Sequence, residues 1–263
     1  NHAWYCGGIN MEGSGSSLVQ CVFEGNSGEQ GGGVSSSQGS PSLIGCAFIE
    51  NNAANGGGLW VDGGSPTVDG CSFLGNSVSN LGGGIYVRTK NVADTNLSVT
   101  NCSFVANSAR LGGAAYVLEN SPLFEECIFD SNSADRGGGM FNLSSSSPTL
   151  TNCTFTSNSA NVNGGGMYNE VSSSPTLTGC FVCDNEPDQI DGSWSDAGGN
   201  WVETYCCRGD LDQNGEVDAS DLGLLIAAWN TDGSIVDGSD INGDGSVSAA
   251  DLGLLIGAWG PCP

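Results

Sequence analysis

The chain has 263 residues, 43 of them glycine, and a formal net charge of −24 from five basic and 29 acidic residues. Because phosphate groups are bound by Lys and Arg, this charge argues against nucleic acid and anionic membranes as partners. No apolar run approaches the ~18 residues that a membrane-spanning helix needs, so direct membrane insertion is not expected.

A repeat of about 25 residues extends from Cys21 to Cys180. Its core is C-x-F-x-x-N, followed by a GGG turn, an apolar pair and Ser-Pro. The repeated positions are Phe23, Phe48, Phe73, Phe104, Phe129 and Phe155, then Asn26, Asn51, Asn76, Asn107, Asn132 and Asn158, then glycine runs from Gly31, Gly56, Gly82, Gly112, Gly137 and Gly164. A fixed period with short β segments and no 3.6-residue spacing indicates a solenoid. The sequence predicts a mainly β fold, with a right-handed parallel β-helix of about seven coils over residues 1–183.

Equivalent residues of successive coils should stack at the parallel strand spacing of ~4.8 Å. Stacked Phe would fill the core, and stacked Asn would bridge neighbouring coils at a bend. Seven cysteines would also stack: Cys21, Cys46, Cys71, Cys102, Cys127, Cys153 and Cys180. Their parallel side chains would strain a disulfide, so we expect a ladder of buried thiols. The six extra residues between Cys71 and Cys102 predict a loop near Arg88–Leu97.

The pairing of F-x-x-N with GG-[AG]-apolar over about residues 7–183 resembles the repeats of chlamydial polymorphic outer-membrane proteins. The resemblance implies an extracellular β-helix, often adhesive. The chain also begins at Asn1 without Met or a signal-peptide pattern, which predicts a processed mature form. We therefore expect an extracellular protein, either secreted or attached to the cell surface.

Residues 184–207 depart from the repeat and are expected to form a cap and linker, since a solenoid end exposes strand edges. Trp194 and Trp201 are its possible anchors. Its acidic residues, Asp184, Asp188, Asp191 and Asp196, fit either a solvated cap or a further cation site. Five cysteines lie outside the ladder. Our hypothesis pairs Cys183 with Cys206 and Cys207 with Cys262, which leaves Cys6 as the candidate for an intermolecular bridge.

Two twelve-residue loops follow, DLDQNGEVDASD (210–221) and DINGDGSVSAAD (240–251). Oxygen-bearing side chains occupy loop positions 1, 3, 5, 9 and 12, and glycine occupies position 6, where Gly215 and Gly245 permit a sharp turn. Position 7 would contribute a backbone carbonyl. The predicted ligands are Asp210, Asp212, Asn214, Glu216, Asp218 and Asp221 in the first loop, and Asp240, Asn242, Asp244, Ser246, Ser248 and Asp251 in the second. The sequence predicts two calcium ions.

A helix is predicted after each loop, because Leu222, Leu225, Ile226 and Trp229 recur at helical spacing, as do Leu252, Leu255, Ile256 and Trp259. The duplicated loop and helix over about residues 208–263 resemble the type I dockerin module. The resemblance implies a domain that folds on calcium and binds cohesin modules of other proteins. The positions where dockerins carry partner specificity hold small residues, Ala219 with Ser220 and Ala249 with Ala250.

Candidate catalytic groups are few. The single histidine, His2, excludes a Ser-His-Asp or Cys-His arrangement and a histidine cluster for zinc. The basic residues that a lyase would need are Arg88, Lys90, Arg110 and Arg136, and nothing in the sequence distinguishes a carboxylate pair for glycoside hydrolysis. The protein is therefore expected not to be an enzyme.

Three functions are compatible with these features. The preferred hypothesis is a structural protein that assembles head to tail into a calcium-stabilised filament or surface layer, because an open first coil and a docking module could join copies of the chain. The first alternative is an adhesion or carbohydrate-binding module, with glycans as possible ligands, tethered to a cohesin-like protein. The second is a polysaccharide lyase or glycosidase.

Overall fold

The computed structural model describes residues 6–88, 97–236 and 238–262. The chain divides into two compact units, Asn1–Thr204 and Tyr205–Pro263. His2, Lys90 and nearly all of the predicted loop near Arg88–Leu97 lie outside the described residues. Among the residues that are described, no helix has the length and apolar character needed to cross a membrane.

The first unit consists of short strands. In chain order they are β1 (Ile9–Glu12), β2 (Ser17–Val19), β3 (Val22–Glu24), β4 (Val34–Gly39), β5 (Ser42–Ile44), β6 (Ala47–Ile49), β7 (Asn52–Asn55), β8 (Leu59–Gly64), β9 (Thr67–Asp69), β10 (Ser72–Leu74), β11 (Ser77–Leu81), β12 (Ile85–Arg88), β13 (Ser98–Thr100), β14 (Ser103–Val105), β15 (Ala115–Leu118), β16 (Leu123–Glu125), β17 (Ile128–Asp130), β18 (Ser133–Arg136), β19 (Met140–Leu143), β20 (Thr149–Thr151), β21 (Thr154–Thr156), β22 (Ser159–Asn163), β23 (Met167–Asn169), β24 (Thr176–Thr178), β25 (Phe181–Cys183), β26 (Ile190–Asp191), β27 (Ser195–Asp196) and β28 (Trp201–Val202).

These strands form three eight-stranded parallel sheets, in the orders β1-β4-β8-β12-β15-β19-β23-β26, β2-β5-β9-β13-β16-β20-β24-β27 and β3-β6-β10-β14-β17-β21-β25-β28. Each coil contributes one strand to each sheet, so the hydrogen bonds of the sheets connect one coil to the next. Two further pairs, β7 with β11 and β18 with β22, run along a fourth side. The predicted β-solenoid of about seven turns is confirmed.

Glycine makes the repeated turn possible. Gly82 has a φ of +65°, and a Cβ built there would lie 2.3 Å from the carbonyl oxygen of Ile85. A Cβ on Gly83 would lie 2.3 Å from the carbonyl oxygen of Gly113 in the next coil. The first glycine is therefore needed for the turn itself, and the second allows adjacent coils to approach each other.

The interior contains the predicted phenylalanine stack. Phe48 and Phe73 have ring centroids 4.6 Å apart, and the same distance separates Phe73 from Phe104. The rings are nearly parallel and fully buried, together with inward-facing Leu59, Ile85 and their equivalents. Because each ring contacts the next one along the axis, the coils share one continuous apolar core.

The asparagine ladder is buried beside this stack. From Asn51 to Asn158 the side-chain amide of each ladder asparagine donates to the Oδ1 atom of the next Asn and to the backbone carbonyl of a Phe in the preceding coil. Asn51 illustrates both bonds, to Asn76 at 3.0 Å and to Phe23 at 2.8 Å. The ladder extends one coil further than the sequence repeat indicated, to Asn185. Buried backbone groups at the bend are thereby satisfied by side chains.

The cysteines of the repeat form the expected ladder of free thiols, and all but the half-buried Cys21 are buried. The Cys71 thiol donates to the carbonyl of Leu43 at 3.4 Å, and its backbone N–H donates to the sulfur of Cys102 at 3.4 Å. Burial raises the pKa of the Cys46 thiol. The thiols therefore serve as small buried side chains that also bond the backbone at a corner.

A second aromatic row lies on the opposite side of the first sheet from the phenylalanine core. Leu59 and Val61 point into the core, so Trp60 between them points outward. Trp60, Tyr86, Tyr116, Phe141 and Tyr168 stack in sequence, with Tyr116 and Phe141 at a centroid distance of 5.3 Å. Leu81 and Leu111 pack against this row. This row was not predicted from the sequence, although an aromatic residue recurs at this position in five successive coils.

The segment expected to be only a cap also continues the solenoid. Its strands β26, β27 and β28 pair in parallel with β23, β24 and β25 of the preceding coil. Trp201 lies beside Phe181 in the third sheet, and Trp194 packs against the core. Both predicted anchors are thus part of a last, short coil.

The second unit contains two nine-residue helices, α1 (Ala219–Ala227) and α2 (Ala249–Gly257), and a small antiparallel pair, β29 (Glu216–Val217) with β30 (Gly260–Pro261). Its core comprises Val217, Leu225, Ala228, Ile241, Val247 and Leu255. The unit is small, and each helix contributes one fully buried leucine, Leu225 or Leu255, to its core.

Candidate functional site

The two predicted calcium loops occupy equivalent places in the second unit, each leading into a helix. Asp218 caps the start of α1 by accepting a hydrogen bond from the backbone of Ser220, and Ser248 caps α2 through Ala250. Asp221 and Asp251, at the third position of each helix, complete a capping box. The side chains at loop positions 9 and 12 therefore stabilise the start of each helix through hydrogen bonds within the chain.

The first loop is wrapped around its own carboxylates. Asp210 accepts hydrogen bonds from the backbone N–H groups of Asn214 at 3.0 Å and Gly215 at 2.9 Å. The fully buried Asp221 accepts from Leu211 at 2.6 Å, as well as from Asp212 and Asp218. These bonds fix the orientation of the two carboxylates within the loop.

The remaining candidates of the first loop are exposed or half-buried. The Ser220 hydroxyl lies 2.7 Å from both the Asp212 and the Asp218 carboxylates. Hydrogen bonds from this hydroxyl and from the Ser220 backbone hold the pKa of Asp218 below its usual value. The side chain of Asn214 accepts from the N–H of Glu216 at 2.9 Å, and Glu216 forms part of β29.

The second loop repeats this arrangement. Asp240 accepts from the N–H groups of Asp244 at 3.2 Å and Gly245 at 2.8 Å. Asp251 is buried and accepts from Asn242 at 3.0 Å and Ser248 at 2.8 Å. Ser246 is exposed, as is its counterpart Glu216. The loop carries less negative charge because Ser246 and Ser248 stand at positions 7 and 9, where the first loop has Glu216 and Asp218.

The donor set fits a hard cation. Carboxylate oxygens of Asp210, Asp212 and Asp221 lie within 4.8 Å of one another. Calcium takes about six to eight oxygen ligands, and these carboxylates, with the other loop oxygens, are of the required kind. The calcium supplies charge neutralisation and cross-linking of the loop when bound. The chain supplies the turn, the oriented carboxylates and the capped helix.

A disulfide and a short β pair adjoin the first loop. Cys207 and Cys262 form the disulfide, with Cα atoms 5.4 Å apart. The Cys262 sulfur lies 3.5 Å from Oδ2 of Asp210, but a disulfide sulfur has no proton to donate, so we interpret this as a packing contact. Cys183 and Cys206 are disulfide-bonded as well. Cys6 is buried and its thiol donates to the carbonyl of Ile9, and the intermolecular bridge through Cys6 stays a prediction.

The exposed faces of α1 and α2 are apolar. Ile226 is 58% exposed, Ile256 56% and Leu254 40%. The predicted apolar face of each helix is therefore only partly buried, because the small unit encloses Leu225 and Leu255 but leaves the following isoleucines outside. The positions associated with partner specificity, from Ala219 to Ser220 and from Ala249 to Ala250, are also exposed.

The described residues of the solenoid hold no comparable cluster. In the described part of the chain, every grouping of three acidic or cysteine ligands falls in the second unit. In the last coil, Asp188 accepts from the N–H of Gly164 and Asp191 from the side chain of Asn163. Arg88 pairs with Asp62 at 2.7 Å over the ring of Trp60, and Arg136 lies over Tyr168.

Comparison with known proteins agrees with this division. The family described as a right handed beta helix region matches residues 2–155, and the dockerin type I domain matches residues 208–258. No curated protein and no solved structure matches the chain. The resemblance to polymorphic outer-membrane proteins stays a prediction.

Dockerin modules occur in extracellular or cell-surface proteins, bind cohesins and typically bind calcium. A β-helix joined to such a module is compatible with a non-catalytic or a carbohydrate-active protein. The chain belongs to the right handed beta helix family and carries a dockerin type I domain.

Proposed function

We propose that this chain is a non-catalytic extracellular protein whose dockerin module, folded around two calcium ions, attaches the β-helix to a cohesin-like partner. The observation that carries the proposal is the exposed apolar surface of α1 and α2, centred on Ile226, Leu254 and Ile256. Side chains of this kind are normally buried, and an apolar surface on ordered elements is typical of a protein interface.

The charge of this surface also indicates the kind of partner. Among residues 219–228 and 249–258 the only charged side chains are Asp221 and Asp251, and both are buried. The helices thus present no exposed charge in an otherwise strongly acidic chain. A partner would need a complementary apolar face, and electrostatic steering would contribute little to binding at the helices themselves.

Binding of the full-length protein to a panel of purified cohesin modules, measured by isothermal titration calorimetry, tests the proposal. Replacing both Ile226 and Ile256 by Ser should weaken binding at least tenfold, because burial of an isoleucine contributes about 1.5–3 kcal/mol. Ile235→Ser is the matched control, since Ile235 is 66% exposed but lies outside both helices. Chelation of calcium should abolish binding. Equal loss of affinity in the control, or no cohesin binding at all, would contradict the proposal.

The non-catalytic part of the proposal is supported by the scarcity of histidine and basic side chains in the sequence. Of these basic side chains, Arg88 is engaged in an ion pair with Asp62 beside the ring of Trp60. The alternative of a lyase or glycosidase is tested by incubating the calcium-loaded protein with a panel of polysaccharides. Release of unsaturated or reducing ends would favour that alternative.

Head-to-tail assembly into a filament and glycan binding are two further predictions, each with its own test. Sedimentation velocity of the calcium-loaded protein over a range of concentrations tests assembly, and a glycan array tests carbohydrate binding. A protein that remains monomeric at every concentration would contradict filament assembly and leave the proposed tethered module unaffected. Because Cys6 is buried, any assembly is expected to persist under non-oxidising conditions.

A further inference from the structure

The two calcium loops are held from outside by different segments. The first is paired with β30, where Glu216 lies opposite Pro261 and Val217 opposite Gly260. The second is held through Val247, which donates to the carbonyl of Thr231 at 2.8 Å and accepts from the N–H of Asn230 at 3.0 Å. These two contacts are equivalent, since Val217 and Val247 both occupy loop position 8.

Among the described residues of this unit, a disulfide adjoins the contact at the first loop, and none adjoins the contact at the second. The N–H of Cys262 donates to the carbonyl of Gly215 at 2.9 Å, directly after β30. Its disulfide partner, Cys207, accepts through its carbonyl a bond of 3.3 Å from the N–H of Asp210. The two cysteines therefore contact loop positions 6 and 1. By contrast, Asn230 and Thr231 extend from the end of α1 and carry no disulfide.

The disulfide also lies beside ligand positions. Asp210 would be the first ligand of the loop, and its Oδ2 is 3.5 Å from the Cys262 sulfur. Glu216, whose backbone carbonyl would be the ligand at position 7, lies in the strand that β30 holds. Groups that orient the ligands of a metal affect its affinity by about 10- to 100-fold when they are removed.

We propose that the Cys207–Cys262 disulfide is a redox-sensitive brace for one calcium site. It positions the first loop for calcium, so that its reduction weakens calcium binding at residues 210–221 and leaves the site at residues 240–251 unchanged. A dithiol reductant supplies two electrons and two protons. The S–S bond breaks, two thiols form on the protein and the reductant closes to its own cyclic disulfide. The inference rests on the proposed calcium sites.

Single-site proteins separate the two loops. In the full-length chain, Asp240→Ala leaves the first site to be measured and Asp210→Ala leaves the second. Each is prepared with the disulfide intact and with both Cys207 and Cys262 replaced by Ser, and calcium affinity is measured by isothermal titration calorimetry. We expect the cysteine changes to weaken the first site by about 10- to 100-fold and the second by less than about threefold. Equal weakening of both sites, or of neither, would overturn the brace.

Two controls make the result specific. A protein with Cys183 and Cys206 replaced by Ser should keep the affinity of the first site, because the hydrogen bonds to loop positions 1 and 6 come from Cys207 and Cys262. Treatment of the unmutated protein with the dithiol should reproduce the effect of removing Cys207 and Cys262.

If the Asp240→Ala protein binds no calcium even with its disulfide intact, the calcium assignment itself fails, and that outcome is distinct from failure of the brace.

Discussion

The side-chain amide of Asn107 donates a hydrogen bond of 3.0 Å to Oδ1 of Asn132, which lies 25 residues later and one coil further along the solenoid. Oδ1 of Asn107 in turn accepts both the backbone N–H and the side-chain amide of Asn76, at 3.0 and 2.9 Å. One side chain therefore satisfies polar groups of three successive coils.

Asn107→Ala should destabilise the solenoid strongly, because it leaves the N–H of Asn76 and the carbonyl of Phe73 buried without a partner. Each unsatisfied group costs about 1–3 kcal/mol, so a loss of about 3 kcal/mol or more is expected in urea-unfolding experiments. Asn161→Ala is the control, since Asn161 is exposed and its side-chain amide donates to the carboxylate of Asp135 at 2.9 Å. A similar, small effect of both changes would show that the ladder is not a source of stability.

Phe104→Ala should cost about 3–5 kcal/mol, as expected for a fully buried aromatic side chain. Its ring stacks against Phe73 on one side and Phe129 on the other, so its removal opens a cavity between coils. Ile128→Ala in the same sheet is the control, because that side chain is 48% exposed. A cost below about 1 kcal/mol at Phe104 would place its ring at the surface and contradict the register.

Replacement of both Asp210 and Asp240 by Ala should abolish high-affinity calcium binding. Each carboxylate occupies position 1 of its loop and also accepts the N–H groups that form the turn. Because metal binding and folding of a small domain are linked, calcium should raise the unfolding temperature of the second unit in the unaltered protein but not in the double variant. Calorimetric titration and thermal scans measure the two effects. Unchanged heats of binding in the double variant would refute the assignment.

Stability should fall at high pH through Tyr116. Burial raises the pKa of Tyr116 to about 12 from its ordinary value of 10.0. Between these values the unfolded chain loses the phenolic proton while the folded chain retains it, so stability declines as pH rises from about 10 to about 12 and is unaffected below that window. Tyr116→Phe should reduce the slope of unfolding free energy against pH there, whereas Tyr205→Phe, at an exposed site, serves as the control. An identical slope in the Tyr116 variant would contradict the prediction.

The repeat could be predicted from sequence because stacking imposes the same residue at the same place in every coil. Phe104 and Asn107 recur in each period, so their burial followed directly from the spacing. The outer aromatic row was missed for a related reason. Leu59 and Trp60 are both apolar, so the sequence does not show that their side chains lie on opposite faces of one sheet.

Short elements were harder to predict. Strands β26 and β27 have two residues each, too few for an alternating pattern, so the last coil was expected to be only a cap. In α1 the spacing of Leu225 and Ile226 predicts one buried face, but a nine-residue helix in a small unit buries only the first of them. The apolar face that the helical spacing predicts is therefore partly buried in the core and partly exposed at the surface.

The direction of the hydrogen bonds has a mechanical consequence. In all three large sheets they connect coil to coil, so a pull on one end of the solenoid along its axis loads the bonds between one pair of neighbouring coils before the next. Such a load falls on one rung at a time. Under tension the solenoid should therefore lengthen in steps of single coils at modest force, and a protein anchored in this way would yield gradually before its attachment is lost.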